Sequence, residues 1–202
     1  PLTFLSVEPG HDAAVIELGF YVPGEIADLC GLVRPRVGII TAIPERPVHF
    51  ERTPSIDAIV AGKAELIEAL PSSGVALLNA DDPRVRGLAP RTQARVVLYG
   101  ESDRASLRAT DVRDERLEGL RFTVAFEGER AAASLPMPGR HLLTAGLAAI
   151  GAAVALGVPL DEAATALGTM EPPPHRMSVR RAHDVTVIDD SYNSSPAAVH
   201  AA

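Results

Sequence analysis

Short runs of consecutive apolar residues alternate with segments of helical periodicity along the first half of the chain. The apolar runs predict four strands, at residues 13–18, 37–42, 75–79 and 96–99. The helical periodicity predicts helices between them, at about residues 24–33, 54–70 and 84–88. Strands that are apolar on both sides are typical of a parallel sheet whose two faces are both covered. The pattern therefore predicts an α/β fold, with a mostly parallel sheet and helices on both faces.

The pattern changes over residues 105–135, where apolar and polar residues alternate. Turn signals at Glu118-Gly119 and Glu127-Gly128 divide this region into short strands, which predicts a small antiparallel β meander. Helical periodicity returns at residues 142–156 and 160–169. We therefore expect the meander to be followed by two helices.

Three consecutive prolines, at residues 172–174, form the clearest linker in the chain. They divide it into a domain at 1–171, a linker at 172–175 and the start of a second domain at 176–202. The last segment contains one further apolar run, at 185–189, and room for one short helix. Because this is too little to close a domain, we expect a longer protein. The incomplete segment would be disordered or would pair with another chain.

Polar side chains stand where the predicted strands end or in the loops that follow them: Glu17, His49, Asn79, Asp81, Asp82, Asp189 and Asp190. The carboxyl ends of parallel strands share one edge of a sheet, where ligands of open α/β folds bind. The convergence predicts a nucleotide or metal site at that edge. Each acid alone fits a helix cap or a solvated loop equally well, and Asp82 before Pro83 has the pattern of an ordinary helix start.

Lys63 interrupts the apolar stripe of the second predicted helix, which is formed by Ile56, Ile59, Val60, Leu66, Ile67 and Leu70. A lysine in such a stripe must extend its amine to solvent, pair with an anion, lose its proton or be modified. The residues alone leave these four alternatives open.

Composition narrows the class of protein. Hydrophobic residues make up 47% of the 202 residues, enough for a core, although aromatic residues are only 4%. The net charge of −7 argues against a nucleic-acid surface. The single cysteine, Cys30, excludes an internal disulfide and a cysteine-based zinc site within the chain. No apolar run reaches the length of a membrane span, so we expect a cytoplasmic protein with no membrane partner.

Several short motifs, spread over nearly the whole chain, together resemble the Mur ligase family. They are Ile16-Glu17-Leu18-Gly19, Pro23-Gly24-Glu25-Ile26, His49-Phe50-Glu51-Arg52, Gly62-Lys63-Ala64-Glu65, Asn79-Ala80-Asp81-Asp82-Pro83, Gly139-Arg140-His141, Arg176-Met177 and Asp189-Asp190-Ser191-Tyr192-Asn193. The resemblance implies the central, ATP-binding domain of such a ligase, without its phosphate-binding loop. The start of the C-terminal domain would follow it.

The resemblance also implies residue roles. Glu17, His49 and Lys63 would hold Mg²⁺, with Lys63 as a carbamate, and Lys63 and His49 would be the catalytic residues. The nucleotide side would be formed by Asn79, Asp82, Arg176, Asp190, Ser191 and Asn193.

The same resemblance implies an activity for the whole enzyme. ATP would phosphorylate the carboxylate of a UDP-N-acetylmuramoyl-tripeptide, and the amine of D-Ala-D-Ala would displace the phosphate, a step of peptidoglycan precursor synthesis. The 202 residues alone are predicted to be inactive, because they contain no Gly-x-x-x-x-Gly-Lys-Ser/Thr loop.

Some positions depart from the family pattern. Ala42 stands in place of an Asn, with a longer loop before His49, and Leu142 and Ala145 stand in place of two more Asn. His175 replaces a Gly. These departures leave two alternatives open: a divergent, non-catalytic binding module with the same fold, and a sibling amide ligase with another substrate.

Overall fold

The computed structural model describes residues 5–43 and 55–192, where helices alternate with strands. The helices are α1 (Glu25–Val33), α2 (Ile56–Glu68), α3 (Pro83–Arg86), α4 (Leu143–Ala155) and α5 (Leu160–Leu167). The strands are β1 (Val37–Ile40), β2 (Val75–Asn79), β3 (Arg95–Gly100), β4 (Leu107–Asp114), β5 (Leu120–Phe126), β6 (Glu129–Leu135), β7 (Ser178–Ala182) and β8 (Val185–Asp189). No helix in these ranges has the length and apolar character needed to cross a membrane.

Strands β1 to β6 form one sheet in the order of the sequence. The first four strands pair in parallel, and β5 and β6 complete the sheet as antiparallel neighbours. The predicted meander is therefore present, but it continues the parallel sheet through the pairs Tyr99–Leu107 and Gly100–Arg108. The fold class predicted from the sequence is confirmed.

The side chains of β2 alternate between two cores, because successive residues of a strand point to opposite faces. Leu77 packs in the core that contains Leu147 of α4. Ala76 and Leu78 pack in the other core, with Ile67 of α2. Helices therefore cover both faces of the sheet, which explains why the strand is apolar at every position from Val75 to Leu78.

The first predicted strand, at residues 13–18, is not formed. Val15 is 89% exposed, and no described residue from 12 to 20 makes a backbone hydrogen bond to another described residue. A strand requires a partner that satisfies its amides and carbonyls, and an apolar run does not supply one. That prediction was wrong.

The apolar run at 185–189 does form a strand, but in a different place from the one predicted. β8 pairs antiparallel with β7 in a separate two-stranded sheet. Asp189 and Asp190 therefore do not lie at the edge shared by the parallel strands, and the prediction that they do was wrong. The local hairpin forms because β7 is only a short loop away, so closing it costs little chain entropy.

Candidate functional site

Lys63 and Glu17 lie close enough for their charges to interact. Lys63 is on α2, which begins after Ser55, whose hydroxyl accepts a 3.1 Å hydrogen bond from the Ala58 amide. Burial lowers the pKa of Lys63 from its ordinary value of 10.5, and the Glu17 carboxylate acts in the opposite direction. Among the described residues no ion pair joins Lys63 to Glu17, so the carboxylate acts on the amine from beyond direct contact.

Lys63 is the only lysine in the chain, against 18 arginines. A buried ammonium gives up its proton far more readily than a guanidinium, because the guanidinium pKa is above about 12. Burial therefore favours loss of the proton, and a neutral amine is also the form that can be modified. Arginine lacks this property.

Asn79 connects the ends of two parallel strands. It is 7% exposed and is the one buried polar residue among those described. Its Nδ2 donates to the Thr41 carbonyl beyond β1 at 2.8 Å, and its Oδ1 accepts from the Asp81 amide at 2.9 Å. The amide orientation at this predicted nucleotide-binding position is thus fixed by the protein itself.

Both carboxylate oxygens of Asp82 accept hydrogen bonds from backbone amides. One oxygen caps α3 by accepting hydrogen bonds from the amides of Arg84 and Val85, at 2.8 and 3.1 Å. The other accepts from the Ile43 amide at 2.8 Å. The helix-start interpretation of Asp82 is confirmed, and this residue joins the end of β1 to α3.

Asp81 organises the neighbouring loop. Its carboxylate accepts from the amides of Glu101 and Ser102, at 2.8 and 3.0 Å. The Glu101 side chain in turn forms an ion pair of 2.5 Å with Arg140, which belongs to the family motif Gly139-Arg140-His141. The two motifs thus meet at one edge of the sheet, through Glu101, a residue that the sequence analysis did not identify.

The C-terminal site candidates form a second group at the base of the β7–β8 hairpin. Asp190 accepts from the Met177 amide at 3.2 Å, and the Arg176 guanidinium lies 4.0 Å from the centre of the Tyr192 ring. Within the described ranges, no hydrogen bond or ion pair joins this group to Glu17, Lys63 or Asn79. The structure brings the C-terminal candidates together, but separately from the sheet edge.

His175 belongs to this second group, although in the sequence it is only a departure from the family pattern. Its Nδ1 lies 2.9 Å from the Asp189 carboxylate and 3.3 Å from the Ser191 hydroxyl, which also donates to Asp189 at 2.6 Å. His175 has a φ of 62°, a conformation in which glycine is unstrained and other residues are not. The imidazole contact with Asp189 offsets part of that cost, and a glycine at this position would make no such contact.

His49 and Asn193 lie outside the described residues, so their assigned roles stay predictions. In the part of the chain that the structure describes, no group of three or more His, Cys, Asp and Glu side chains is placed to hold a metal ion. Glu17 beside an unmodified Lys63 offers a cation one anion only. A metal at this position needs a further anionic ligand, which carbamoylated Lys63 would provide.

Comparison with known proteins identifies Mur ligases as relatives along the whole chain. Residues 1–153 match the family described as Mur ligase middle domain. A UDP-N-acetylmuramoyl-tripeptide–D-alanyl-D-alanine ligase from Mycobacterium tuberculosis is 35% identical over 100% of this chain and 39% of its own length. The Escherichia coli protein of that name is 30% identical over 100% of this chain and 45% of its own.

The fold also matches solved structures. A crystal structure of MurF from Acinetobacter baumannii superposes with a TM-score of 0.87 at 24% identity, over 98% of this chain and 43% of that one. A MurF ligase from Thermotoga maritima in complex with ADP superposes with a TM-score of 0.75 at 23% identity, over 89% of this chain and 40% of that one. The chain therefore spans about two fifths of the length of the proteins it matches.

Proposed function

Because the chain belongs to the Mur ligase family, we propose that it is part of an ATP-dependent amide ligase of peptidoglycan precursor synthesis. Its substrates are UDP-N-acetylmuramoyl-tripeptide and D-Ala-D-Ala, which also implies a cytoplasmic location. The single observation that carries the proposal is the partly buried amine of Lys63, on which the Glu17 carboxylate acts electrostatically. The curated relatives that match all of the chain support the substrate class.

Lys63 has the properties that carbamoylation requires. The neutral amine attacks CO2, an N–C bond forms, and the proton leaves to solvent, so a lowered pKa increases the reactive fraction. The product is an anion with two oxygens, beside the carboxylate of Glu17. Together with His49, these groups would hold Mg²⁺, which favours oxygen ligands and would neutralise the negative charge of the ATP phosphates.

The nucleotide is assigned to the sheet edge and to the C-terminal group. Asn79 presents a buried amide at the end of β2 with its orientation fixed, while Arg176, Asp190, Ser191 and Asn193 would contact the nucleotide from the second domain. Asp82 acts on the site through the backbone, because both of its oxygens already accept amide hydrogen bonds.

In the proposed reaction, a tripeptide carboxylate oxygen attacks the γ-phosphorus of ATP, and ADP leaves. The amine of D-Ala-D-Ala then attacks the acyl carbon, an amide bond forms, and phosphate departs with the proton of the amine released to solvent. Residues of this chain bind and orient the reactants, which supplies most of the catalysis in phosphoryl transfer. The 202 residues alone are expected to be inactive, because the phosphate-binding loop is not among them.

The test is phosphate release by the full-length protein. We expect release from ATP only when both the UDP-linked tripeptide and D-Ala-D-Ala are present, and loss of release in Lys63→Ala. Glu68→Gln is the matched control, since Glu68 lies on the same helix and pairs with Arg91 on the surface. Phosphate release with a different amine, and none with D-Ala-D-Ala, would identify a sibling ligase instead.

A second candidate function is favoured by the substituted amides. Leu142 is partly buried against the core around α4, and Ala145 is exposed on that helix. Neither can donate a hydrogen bond from its side chain to a nucleotide. A non-catalytic binding module would bind the UDP-linked peptide without any release of phosphate, so the same assay combined with a binding measurement separates the two functions.

A further inference from the structure

The N-terminus of α1 is capped by a carboxylate from another helix. Gly24, which precedes α1, has no side chain and adopts a φ of 102°, so it cannot satisfy the free amides of the first turn. Glu65 of α2 does so instead, accepting hydrogen bonds from the Gly24 amide at 2.6 Å and the Ala27 amide at 3.0 Å. Its negative charge also faces the positive end of the helix dipole.

A second contact joins the same two regions on the other side of Lys63. The Phe20 ring packs directly on Gly62, where an added Cβ would lie 2.3 Å from ring atom Cε2. Contact distances this short are not tolerated by packed side chains, so the ring can lie there only because residue 62 is glycine.

From these contacts we propose that Glu65, with the Phe20–Gly62 contact, is a positioning device for the site. The two contacts, which we call the α2 clasp, hold residues 20–27 on α2, and so limit how far Glu17, three residues before Phe20, can lie from Lys63. Gly62 and Glu65 lie on either side of Lys63 in the sequence. The clasp concerns the site of the proposed function, but its geometry can be tested without that function.

The clasp matters because, among the described residues, little else fixes the position of Glu17. Residues 12–20 make no backbone hydrogen bond to any described residue, and the strand predicted there is absent. Further along the chain, the Glu25 carboxylate accepts hydrogen bonds from the amides of Tyr21 and Val22, at 2.6 and 3.2 Å. That contact shapes the local turn but does not attach it to α2, whereas Glu65 and Gly62 do.

Contact between the Glu17 carboxylate and the Lys63 amine can be detected by zero-length crosslinking of the 202-residue chain. A carbodiimide joins a carboxylate to an adjacent amine as an amide and takes up the water that is lost. Lys63 is the only lysine, so peptide mapping by mass spectrometry in CO2-free buffer identifies the product without ambiguity. We expect a Glu17–Lys63 crosslink in the unmodified chain.

Three substitutions test the clasp. Glu65→Ala and Gly62→Ala are expected to lower the Glu17–Lys63 crosslink severalfold. Phe20→Ala in the Gly62→Ala chain is expected to restore part of it, since the clash is removed while the Glu65 cap remains. Glu68→Ala, on the same helix, should leave it unchanged. Amide hydrogen exchange at Gly24 and Ala27 should become roughly fivefold faster in Glu65→Ala, as expected for loss of a helix cap.

Exchange at the β2 amides shows whether each variant remains folded, and Glu65→Gln, which keeps one acceptor, provides a milder variant. Unchanged crosslinking in folded Glu65→Ala and Gly62→Ala chains would overturn the proposal, as would failure of Phe20→Ala to restore any of the crosslink. Because neither readout involves ATP or ligation, an inactive full-length protein with an intact clasp would overturn the proposed function alone.

Discussion

The side-chain amide of Asn79, at the end of β2, donates a 2.8 Å hydrogen bond to the backbone carbonyl of Thr41, beyond the end of β1. Asn79 is also held by the Asp81 amide, so one buried side chain fixes the spacing of two strand ends and the turn that follows. The edge of the sheet that carries the proposed nucleotide site is therefore built by a hydrogen-bond network within the protein.

Asn79→Asp tests that network. The substitution replaces the donor with a carboxylate oxygen that faces the Thr41 carbonyl, so both groups are left without a partner in a buried position. We expect the free energy of unfolding to fall by about 1–3 kcal/mol, measured by urea denaturation. Gln93→Ala, which truncates an exposed polar side chain, is the control, and equal midpoints for the two variants would contradict the role given to Asn79.

Asp82 is expected to matter for stability. Asp82→Ala removes the cap of α3 and the acceptor for the Ile43 amide, and should lower the free energy of unfolding by about 1–2 kcal/mol. Asp82→Asn keeps one acceptor oxygen and should cost less. Thermal or urea unfolding of the two variants measures the difference, and an Asn variant as unstable as the Ala variant would show that this oxygen does not act as the cap.

The strands predicted from the sequence agree best with the structure where burial alone determines which residue types are present. β2 was predicted with its observed bounds, because the core on each side of the sheet makes every position from Val75 to Leu78 apolar. Residues 13–18 have the same apolar character, yet they form no strand, since a run of residues contains no information about its hydrogen-bond partner. The spacing of apolar residues indicates which positions are buried, whereas the pairing of a strand depends on residues elsewhere in the chain.

The C-terminal hairpin shows the same limit. β7 was missed because Arg180 and Arg181 interrupt its apolar pattern, and its partner β8 was therefore placed in the wrong sheet. Within the site, motif matching found Lys63 and Asn79. It did not find Glu65 as a helix cap or Glu101 as a link between motifs, because both act through backbone amides or ion pairs distant in sequence.

The cluster of Asp189, Ser191 and His175 gives a pH-dependent prediction. The Ser191 hydroxyl is the main cause that holds the pKa of Asp189 below its ordinary value of 3.8; burial opposes it, and His175 adds to it. A carboxylate with a lowered pKa stabilises the folded state above its ordinary pKa, and this contribution is lost as the pH falls through the folded-state value.

Ser191→Ala should therefore raise the pKa of Asp189, as measured by NMR titration of its side-chain carboxyl carbon. Removing His175, by His175→Ala, should raise it by less, because the histidine contributions are smaller. A larger effect of His175→Ala than of Ser191→Ala would reverse the assigned order of causes.

The central claim is that Lys63, beside Glu17, reacts with CO2 to become an anionic ligand. Because it is the only lysine in the chain, the most direct measurement is a ¹³C NMR spectrum of the protein equilibrated with ¹³C-bicarbonate at mildly alkaline pH. The account predicts a carbamate resonance that is absent from Lys63→Arg and retained in Glu68→Gln. A spectrum with no lysine carbamate, while the fold is intact and Glu17 crosslinks to Lys63, would contradict it.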